Sequence, residues 1–217
     1  MNRKVIMIGG GGHAKALVDI LHKQYIDIFA ISSPKIDKDS PLLSSIENVL
    51  VDDDIYKFNP DEIYLVNGIG SIPGNALRAQ VFDKFKNAGY EFMTVISDSS
   101  VVGHNCKIEM GVQIMHGAIV NIDSVIGENT LINSGGIVEH DCKIGKHNHI
   151  APGAVLCGAS STGEKVHIGA GASVIQSIEI GKNVVIGAGA VVTSNVASNS
   201  VCYPARISIK KLASENE

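Results

Sequence analysis

The feature that most constrains this chain is an aliphatic residue at every sixth position from Val102 to Val192. Every position in this series except Thr162 holds Val, Ile or Leu, and the residue four places later is usually small or branched. An α-helix repeats near 3.6 residues and a half-buried strand at 2, so neither produces this period. A parallel β-helix does, because three flat faces of about six residues each close a coil of about eighteen. The repeat therefore predicts a triangular prism with one inward aliphatic side chain per face.

Such a prism must be long and covered at its ends, because no coil can bury its apolar edge alone. The repeat is long enough for about five coils. Tryptophan is absent and aromatic residues make up 5% of the chain, as expected for a narrow interior filled by Val, Ile and Ala. A glycine often follows the inward aliphatic residue, and we expect it to supply unusual backbone angles at the corners. These glycines are Gly103, Gly127, Gly145, Gly163, Gly169, Gly181 and Gly187.

The chain opens with the pattern of a strand, a glycine turn and a helix. Residues 5–8 are apolar, residues 9–12 are all glycine, His13 follows, and residues 16–21 are amphipathic. This order is typical of a Rossmann-like unit, in which glycines let a phosphate reach backbone N–H groups at a helix amino terminus. A tight turn without a ligand would fit the glycines as well.

A site for NAD would also need an acidic residue at the end of the second strand. The apolar residues 28–31 are instead followed by Ser32 and Ser33. NAD is therefore disfavoured, whereas a different nucleotide remains compatible with the pattern.

A second glycine loop follows a later strand. Residues 62–66 are predicted to form that strand, and residues 67–71 contain Gly68 and Gly70. Because the carboxyl ends of parallel strands lie at one edge of a sheet, the two glycine loops should face one crevice. Residues 34–61 are polar and predicted to be irregular, with a solvated turn at 52–54. We expect a helix over 75–88, with Leu77 on its apolar face, and a last strand over 92–96.

The expected fold is therefore an α/β Rossmann-like N-terminal domain followed by an all-β parallel β-helix. We place the first domain at residues 1–97 and the β-helix at 98–196. Residues 197–217 are expected to form a tail that covers the last coil.

Charge and cysteine content exclude several classes of protein. The net charge is −4 and no basic block is present, so neither nucleic acid nor an anionic membrane is an expected partner. Too few apolar residues follow Met1 for a signal peptide or a membrane span, which indicates a cytoplasmic protein. The four cysteines show no CxxC spacing, so neither a disulfide framework nor a zinc ribbon is predicted.

Histidine is the side chain best suited to proton transfer near neutral pH, and this chain has eight. His13 could contact a ligand or cap the glycine turn. His140 stands between Glu139 and Asp141, and a neighbouring carboxylate raises the basicity of an imidazole. Adjacent residues of a flat strand point to opposite faces, so the pair requires a corner. The remaining prism histidines are expected at the surface: His104, His116, His147 and His167.

Several segments together resemble the NeuD/PglD family of sugar acetyltransferases, and the resemblance covers nearly the whole chain. They are the glycine turn with His13 and Lys15, the loop 67–71, the segment 139–145, the segment 149–154, and the terminal Pro204, Ala205 and Arg206. Hexapeptide repeats occur in many enzymes, whereas this two-domain order with a His–acid pair is more specific.

The resemblance implies a left-handed prism, an exception to the usual right-handed crossover. It also implies a homotrimer with sites between subunits, a nucleotide-linked amino sugar in the N-terminal domain and acetyl-CoA along the prism, with no metal. By the same resemblance, His140 is the general base and Asp141 raises its basicity. Acetyl-CoA would be contacted by His149, Ala170 and Ala188. The nucleotide sugar would be contacted by Gly11, Gly12, His13, Asn67, Gly68 and Gly70.

The function expected from the resemblance is N-acetylation of a nucleotide-linked 4-amino-4,6-dideoxy sugar for surface polysaccharide or glycan synthesis, by direct attack on the thioester. The alternative is O-acetylation of a sialic acid or related sugar. A metal-dependent prism enzyme of the carbonic anhydrase type and a non-catalytic trimer are two further classes. Some family members carry an acidic pair where this chain has Ser32 and Ser33, which leaves thymidine or guanosine sugars open. Two other departures, Thr162 and the pair Cys202 and Tyr203, could alter the geometry near acetyl-CoA.

Overall fold

The computed structural model describes residues 3–37 and 39–205. Within these ranges no helix has the length and apolar character needed to cross a lipid bilayer. The expectations for Arg206 and for the rest of the tail to residue 217 lie outside the described residues.

The N-terminal part contains a four-stranded parallel sheet, formed by β1 (Lys4–Ile8), β2 (Ile28–Ser32), β3 (Asn48–Leu50) and β4 (Ile63–Asn67). The strand order is β3-β2-β1-β4. Because β1 and β4 are neighbours, the loops that follow them meet at one sheet edge, as the sequence predicts.

Helices cover both sides of this sheet. Helices α1 (Gly12–Lys23) and α2 (Pro41–Ser44) pack on the side to which Val5 and Met7 point. Helix α3 (Leu77–Asn87) packs on the side of Ile6 and Ile8. Two 3₁₀ segments, Asp52–Lys57 and Pro60–Glu62, precede β4. The alternation of apolar side chains along β1 thus gives each sheet face its own core.

Three predictions for this part were wrong. Residues 34–61 are not irregular, because α2, β3 and the 3₁₀ segments lie there. Residues 92–96 do not form a strand of the N-terminal sheet: Phe92 makes a single bridge with Leu65, and Val95–Ile96 is the first strand of the prism. Leu77 is 47% exposed, whereas Arg78 beside it is only 5% exposed.

The repeat forms a parallel prism with three sheets, and its pattern fits a left-handed β-helix. Equivalent residues pair at steps of eighteen, as in Ile114 with Ile132 and Ile132 with Ile150. We name each face of the prism by the number of strands in its sheet. The seven-stranded face contains β5 (Val95–Ile96), β8 (Gln113–Ile114), β11 (Leu131–Ile132), β14 (His149–Ile150), β17 (His167–Ile168), β20 (Val185–Ile186) and β22 (Val201–Cys202).

The other two faces follow in chain order. The six-stranded face contains β6 (Val101–Val102), β9 (Ile119–Val120), β12 (Ile137–Val138), β15 (Val155–Leu156), β18 (Ser173–Val174) and β21 (Val191–Val192). The five-stranded face contains β7 (Lys107–Ile108), β10 (Val125–Ile126), β13 (Lys143–Ile144), β16 (Ser161–Thr162) and β19 (Glu179–Ile180). Corner I leads from the seven- to the six-stranded face, corner II from the six- to the five-stranded face, and corner III back to the seven-stranded face.

The aliphatic ladder fills the prism, with most of its members buried. Thr162 interrupts the ladder, but its hydroxyl group is not left unpaired. It accepts hydrogen bonds from Asn148 Nδ2 at 2.6 Å and from Gly145 N at 3.2 Å. At the first coil Val102 is 37% exposed, and at the last coil Cys202 packs against the core.

The glycines after the ladder residues have a different purpose from the one predicted. Their φ angles are not positive; the left-handed residue lies two positions later in the corner, as at His147 after Gly145 and Gly171 after Gly169. A Cβ on Gly145 would overlap the Gly163 carbonyl group, and its distance to the carbonyl carbon would be 2.6 Å. These glycines therefore allow the backbones of successive coils to approach each other closely.

Replacing Gly145 by alanine is expected to lower the free energy of unfolding by about 1–3 kcal/mol, as for other overpacked sites. The clash involves backbone atoms of the next coil, which no side-chain rotation relieves. Urea unfolding at a fixed protein concentration measures the change. Gly12→Ala is the matched control, because no heavy atom lies within 4 Å of its added Cβ. Equal stability of the two variants would contradict the close-approach explanation.

Candidate active site

The two glycine loops lie side by side at the carboxyl end of the N-terminal sheet, and we call the space that they border the glycine-loop crevice. A Cβ on Gly9 would lie 3.0 Å from the carbonyl carbon of Gly68, so the loops touch at their base. Gly11 and Gly12 have open space on the side where a Cβ would project. Helix α1 begins there without a side-chain cap, which leaves backbone N–H groups of its first turn available to an anion.

Two of the residues expected to contact the nucleotide sugar have structural contacts instead. A Cβ on Gly68 would lie 2.7 Å from Met7 Sδ, so this glycine permits tight packing against β1. Asn67 is 1% exposed; its amide nitrogen donates to the Arg78 carbonyl oxygen at 2.9 Å and to Asn129 Oδ1 at 3.1 Å. Gly70 lies beside His13 and faces the crevice with it.

The N-terminal part rests on the seven-stranded face through a buried polar network that the sequence analysis missed. Arg78 Nη1 donates to the carbonyl oxygens of Asn67 and Ile69 at 2.9 and 2.8 Å. Gln113, at the start of β8, receives hydrogen bonds from Arg78 and His13. Arg78 is predictable in part, because it lies three, four and seven residues before the buried residues Val81, Phe82 and Phe85 of α3. Burial lowers its pKa to about 9.

His149 lies in the same interface and not at the open surface. It is 7% exposed, its ring packs against His167, and its Nε2 contacts Asn133 of corner I at 3.1 Å. Burial, followed by the charges of His167 and Arg78, lowers the pKa of His149 to about 3. His149 is therefore a neutral imidazole at physiological pH.

Two other histidines are less exposed than expected. The side chain of His147 is 2% exposed, and its Nε2 lies 3.3 Å from Asp83 of α3. The Nδ1 atom of His167 is buried and has no hydrogen-bond partner among the described residues. Burial lowers the pKa of both. The hexapeptide period places them on an outward face or corner but does not reveal that the N-terminal part covers it.

A cleft of about 290 Å³ lies at corner III, between the prism and the segment 71–79, which contains the loop before α3 and its first turn. Arg78, His147, Lys165 and His167 are among the side chains that line it. The cleft opens at a different corner from the residues expected to contact acetyl-CoA.

His140 and Asp141 lie together at corner II, as their proposed pairing requires. Asp141 has a φ of 60°, which turns its carboxylate back toward the ring, and His140 Nδ1 lies 2.8 Å from Asp141 Oδ2. This hydrogen bond raises the pKa of His140; burial opposes the shift, and the charges of Asp141 and Glu139 add to it. The ring lies over Gly158, where a Cβ would stand 2.6 Å from its Cε1 and Nε2 atoms. The ring can therefore take this position only with glycine at residue 158. The sequence indicates this role only by the spacing, because Gly158 lies eighteen residues, or one coil, after His140.

Ala170 and Ala188 lie at corner I, one coil apart and both exposed. The backbone of Gly189 donates to the carbonyl oxygen of Ala170 at 2.9 Å, which stacks the two turns as the eighteen-residue step predicts. A ligand could therefore run along this corner across two coils.

The structure does not bring all predicted site residues together within one chain. The glycine loops pack over the seven-stranded face, and Ala170 and Ala188 border that face at corner I. Corner II, with His140, is the vertex opposite the seven-stranded face. The geometry of a triangular prism thus separates His140 from the other groups.

Cys142, which lies beside Asp141, is not an alternative nucleophile. Cys142 is buried, and burial raises the pKa of its thiol to about 11, so it is not a thiolate at neutral pH. Residues 3–37 and 39–205 contain no group of three or more His, Cys, Asp or Glu side chains that could hold a metal ion. A carboxylate does lie near the end of β2: Asp52 accepts a hydrogen bond from Ser32 Oγ at 2.6 Å, a contact that the sequence order conceals.

Comparisons with known proteins are consistent with this geometry. The family described as bacterial transferase hexapeptide (six repeats) matches residues 123–158 and 159–194. None of the curated protein sequences compared with the chain matches it.

Several solved structures are similar over nearly the whole chain. A histidine-to-asparagine variant of perosamine N-acetyltransferase from Caulobacter crescentus, in complex with CoA and GDP-perosamine, is 29% identical, with 93% of each chain covered and a TM-score of 0.81. The acetyltransferase domain of PglB from Neisseria gonorrhoeae, in complex with acetyl coenzyme A, is 25% identical, with 95% of this chain and 99% of that chain covered and a TM-score of 0.84. WeeI from Acinetobacter baumannii is 20% identical, with coverages of 92% and 96% and a TM-score of 0.73, and shows the fold alone.

Proposed function

We propose that this chain, which belongs to the NeuD/PglD family of hexapeptide-repeat sugar acetyltransferases, acetylates the amino group of a nucleotide-linked amino sugar. The acetyl donor is acetyl-CoA, and the acceptor is a 4-amino-4,6-dideoxy sugar. The observation that carries the proposal is the pair of His140 and Asp141 at an exposed corner, with the Nδ1 side of the imidazole held by the carboxylate. The structures similar to this chain that contain CoA, acetyl coenzyme A or GDP-perosamine support the same substrates.

The reaction follows from the orientation of His140. Its Nδ1–H donates to Asp141, so the lone pair of Nε2 is available to a proton of the sugar amine. The amine nitrogen forms a bond to the thioester carbonyl carbon while Nε2 takes up that proton. The C–S bond then breaks, and the imidazolium returns the proton to the leaving thiolate. Asp141 stabilises the imidazolium during this sequence.

The acetyl donor would lie along corner I, where Ala170 and Ala188 offer exposed backbone in two successive coils. His149 lies under the N-terminal part and reaches corner I through Asn133. As a neutral imidazole it contributes no positive charge, and its effect on the acetyl donor would pass through Asn133. The high pKa of Cys142 supports direct transfer without an acetyl-enzyme.

We further propose that the complete site lies between two chains of a homotrimer. The N-terminal part, which precedes β5, is Rossmann-like and binds the nucleotide sugar through Gly11, Gly12, His13 and Gly70. Asn67 and Gly68 stabilise the conformation of the loop 67–71. The prism, which runs from β5 to β22, supplies corner I to the same site, while His140 at corner II serves the site of a neighbouring chain. The opposite positions of these groups on one prism support this arrangement.

Acetyl transfer to a panel of acceptors tests the function. The purified protein, acetyl-CoA and the GDP-, dTDP- and UDP-linked 4-amino-4,6-dideoxy sugars are expected to yield an amide product, identified by mass spectrometry, with at least one nucleotide. Free amino sugars should react far more slowly, because the nucleotide contacts position the amine. Acetylation of a sialic acid hydroxyl, with no reaction of the nucleotide-linked amines, would overturn the proposal in favour of O-acetylation.

A further inference from the structure

The hydrogen bonds of Gln113 determine the orientation of its amide group. Its Nε2 donates to the Asn67 carbonyl oxygen at 2.8 Å, and its Oε1 accepts from Arg78 Nη2 at 3.0 Å. A guanidinium only donates and a carbonyl oxygen only accepts, so the amide cannot be reversed. Gln113 is fully buried, and it therefore has no solvent to exchange these partners with.

This orientation determines the protonation of His13. The Nε2 atom of His13 lies 2.8 Å from Gln113 Oε1, which can only accept, so Nε2 must carry the proton. Burial, followed by the charge of Arg78, lowers the pKa of His13 to about 4 despite this hydrogen bond. His13 is then neutral near pH 7, and its Nδ1 atom carries a lone pair.

Among the described residues, the Nδ1 atom of His13 has no hydrogen-bond partner, and it is not enclosed. Among the described residues, the buried side-chain atoms without a hydrogen bond are Arg78 Nε, His149 Nδ1 and His167 Nδ1. His13 Nδ1 is not one of them, and His13 as a whole is only partly buried. An acceptor of hydrogen bonds thus stands next to backbone N–H groups at the start of α1, which are donors.

We propose that Gln113 is a positioning residue that presents His13 Nδ1 to the glycine-loop crevice as a hydrogen-bond acceptor for a hydroxyl of the nucleotide sugar. This inference rests on the proposed function. Phosphate oxygens are excluded from this position, because a diphosphate linkage offers only acceptors and would face the lone pair. The phosphates would instead bind the N–H groups at the amino terminus of α1. The hydroxyl that donates to His13 would then fix the position of the sugar relative to those phosphates.

The replacement Gln113→Glu tests this role, because it keeps the shape and changes the charge. The charged and titratable groups facing His13 are Arg78 on α3 and His149 on β14. A carboxylate at position 113 would pair with Arg78 and stabilise the protonated form of His13, so the pKa of His13 should rise. His13 would then carry a proton on Nδ1 at low pH and lose it as the pH increases.

The first measurement is the ¹⁵N NMR spectrum of His13 in protein with labelled histidine, assigned by comparison with His13→Gln. At pH 7 the unchanged protein should show an unprotonated Nδ1 and a protonated Nε2. In the Gln113→Glu variant, double protonation of His13 should begin at a higher pH than in the unchanged protein. A protonated Nδ1 in the unchanged protein overturns the inference, whether or not the protein acetylates any sugar.

The second measurement is the KM for the nucleotide sugar that the acceptor panel identifies as turned over fastest. In Gln113→Glu, at a pH where His13 is protonated, Nδ1 can no longer accept the hydroxyl proton and the hydrogen bond must reverse its direction, which should raise this KM by up to about tenfold. The KM should return toward the normal value as the pH rises and His13 becomes neutral. In Gln113→Met, which removes the hydrogen bonds without adding charge, the increase should not depend on pH.

Two controls separate positioning from simple loss of structure. Gln80→Glu adds the same charge at an exposed site on α3 and should leave the KM unchanged. Thermal unfolding shows whether each variant is folded at the temperature of the assay. Identical, pH-independent effects of Gln113→Glu and Gln113→Met in folded protein would contradict the inference and indicate a purely structural role.

Discussion

Replacing His140 by alanine is expected to lower kcat for acetyl transfer by about 10²- to 10⁴-fold, the usual contribution of a general base. The ring is exposed at corner II and supports no core packing, so folding and assembly should be unaffected. Steady-state rates with the best acceptor of the panel, together with the sedimentation behaviour of the variant, provide the measurement. Nearly normal acetyl transfer by a folded variant would remove His140 from the mechanism.

His104 provides a matched control for this experiment. It occupies the same position of corner II two coils earlier and is also exposed, but Asn105 follows it in place of an aspartate. His104→Ala should therefore retain full activity. A similar loss in both variants would point to a general effect of corner II on assembly.

The pairing with Asp141 should also be visible in the pH dependence. The proposed base His140 would act only when neutral, so kcat/KM should fall as the pH decreases below the pKa of His140. Asp141 raises this pKa. In Asp141→Asn the pKa should fall, the acidic limb of the profile should move to lower pH, and the maximal rate should decrease because the base is weaker. An unchanged acidic limb would show that a different group is being titrated.

The second large effect is expected when two inactive variants are combined in one assembly. In Gly12→Leu the side chain would fill the crevice between the glycine loops, where a Cβ meets no protein atom. This variant and His140→Ala should each be inactive alone. If each site takes its glycine loops from one chain and His140 from another, co-expression of the two variants in equal amounts should restore about a quarter of the sites. The glycine loops of a site are intact in about half of the cases, and the His140 that serves it is intact in about half, independently of the loops.

Differently tagged chains allow the mixed assemblies to be purified and their composition to be measured by native mass spectrometry. Recovery of acetyl transfer only in the mixed assemblies would agree with a site shared between chains. Mixed assemblies that form but show no activity would indicate that one chain contains its whole site, contrary to the separation of His140 from the glycine loops.

The six-residue period was sufficient to predict the prism, its eighteen-residue coil and the inward ladder, because a constraint repeated in every coil is recorded many times in the sequence. The same step correctly stacked Ala170 on Ala188. Local chemistry predicted β1, the glycine turn and α1, and the need for a corner at His140 and Asp141. Each of these features depends on residues that are close in sequence or related by a fixed step.

The tertiary structure alone decided which face of the prism is covered. Gln113 and His149 each precede a ladder residue and point outward, as Lys143 does on another face. The hexapeptide pattern is the same at covered and at solvent-facing positions. Only the docking of the N-terminal part makes Arg78, Gln113 and His13 one buried network. The pKa values of His13 and His149 follow from that burial, so no local pattern could have predicted them.

The sequence also misassigned the glycines that follow the ladder. A glycine is compatible with either a positive φ or a close backbone approach, and the choice between the two depends on the neighbouring coil, eighteen residues away. By itself, the sequence determined the periodic scaffold and the kinds of residue available for chemistry. The tertiary structure decided which of them are neutral, covered or open, because burial and pairing between distant segments set these properties.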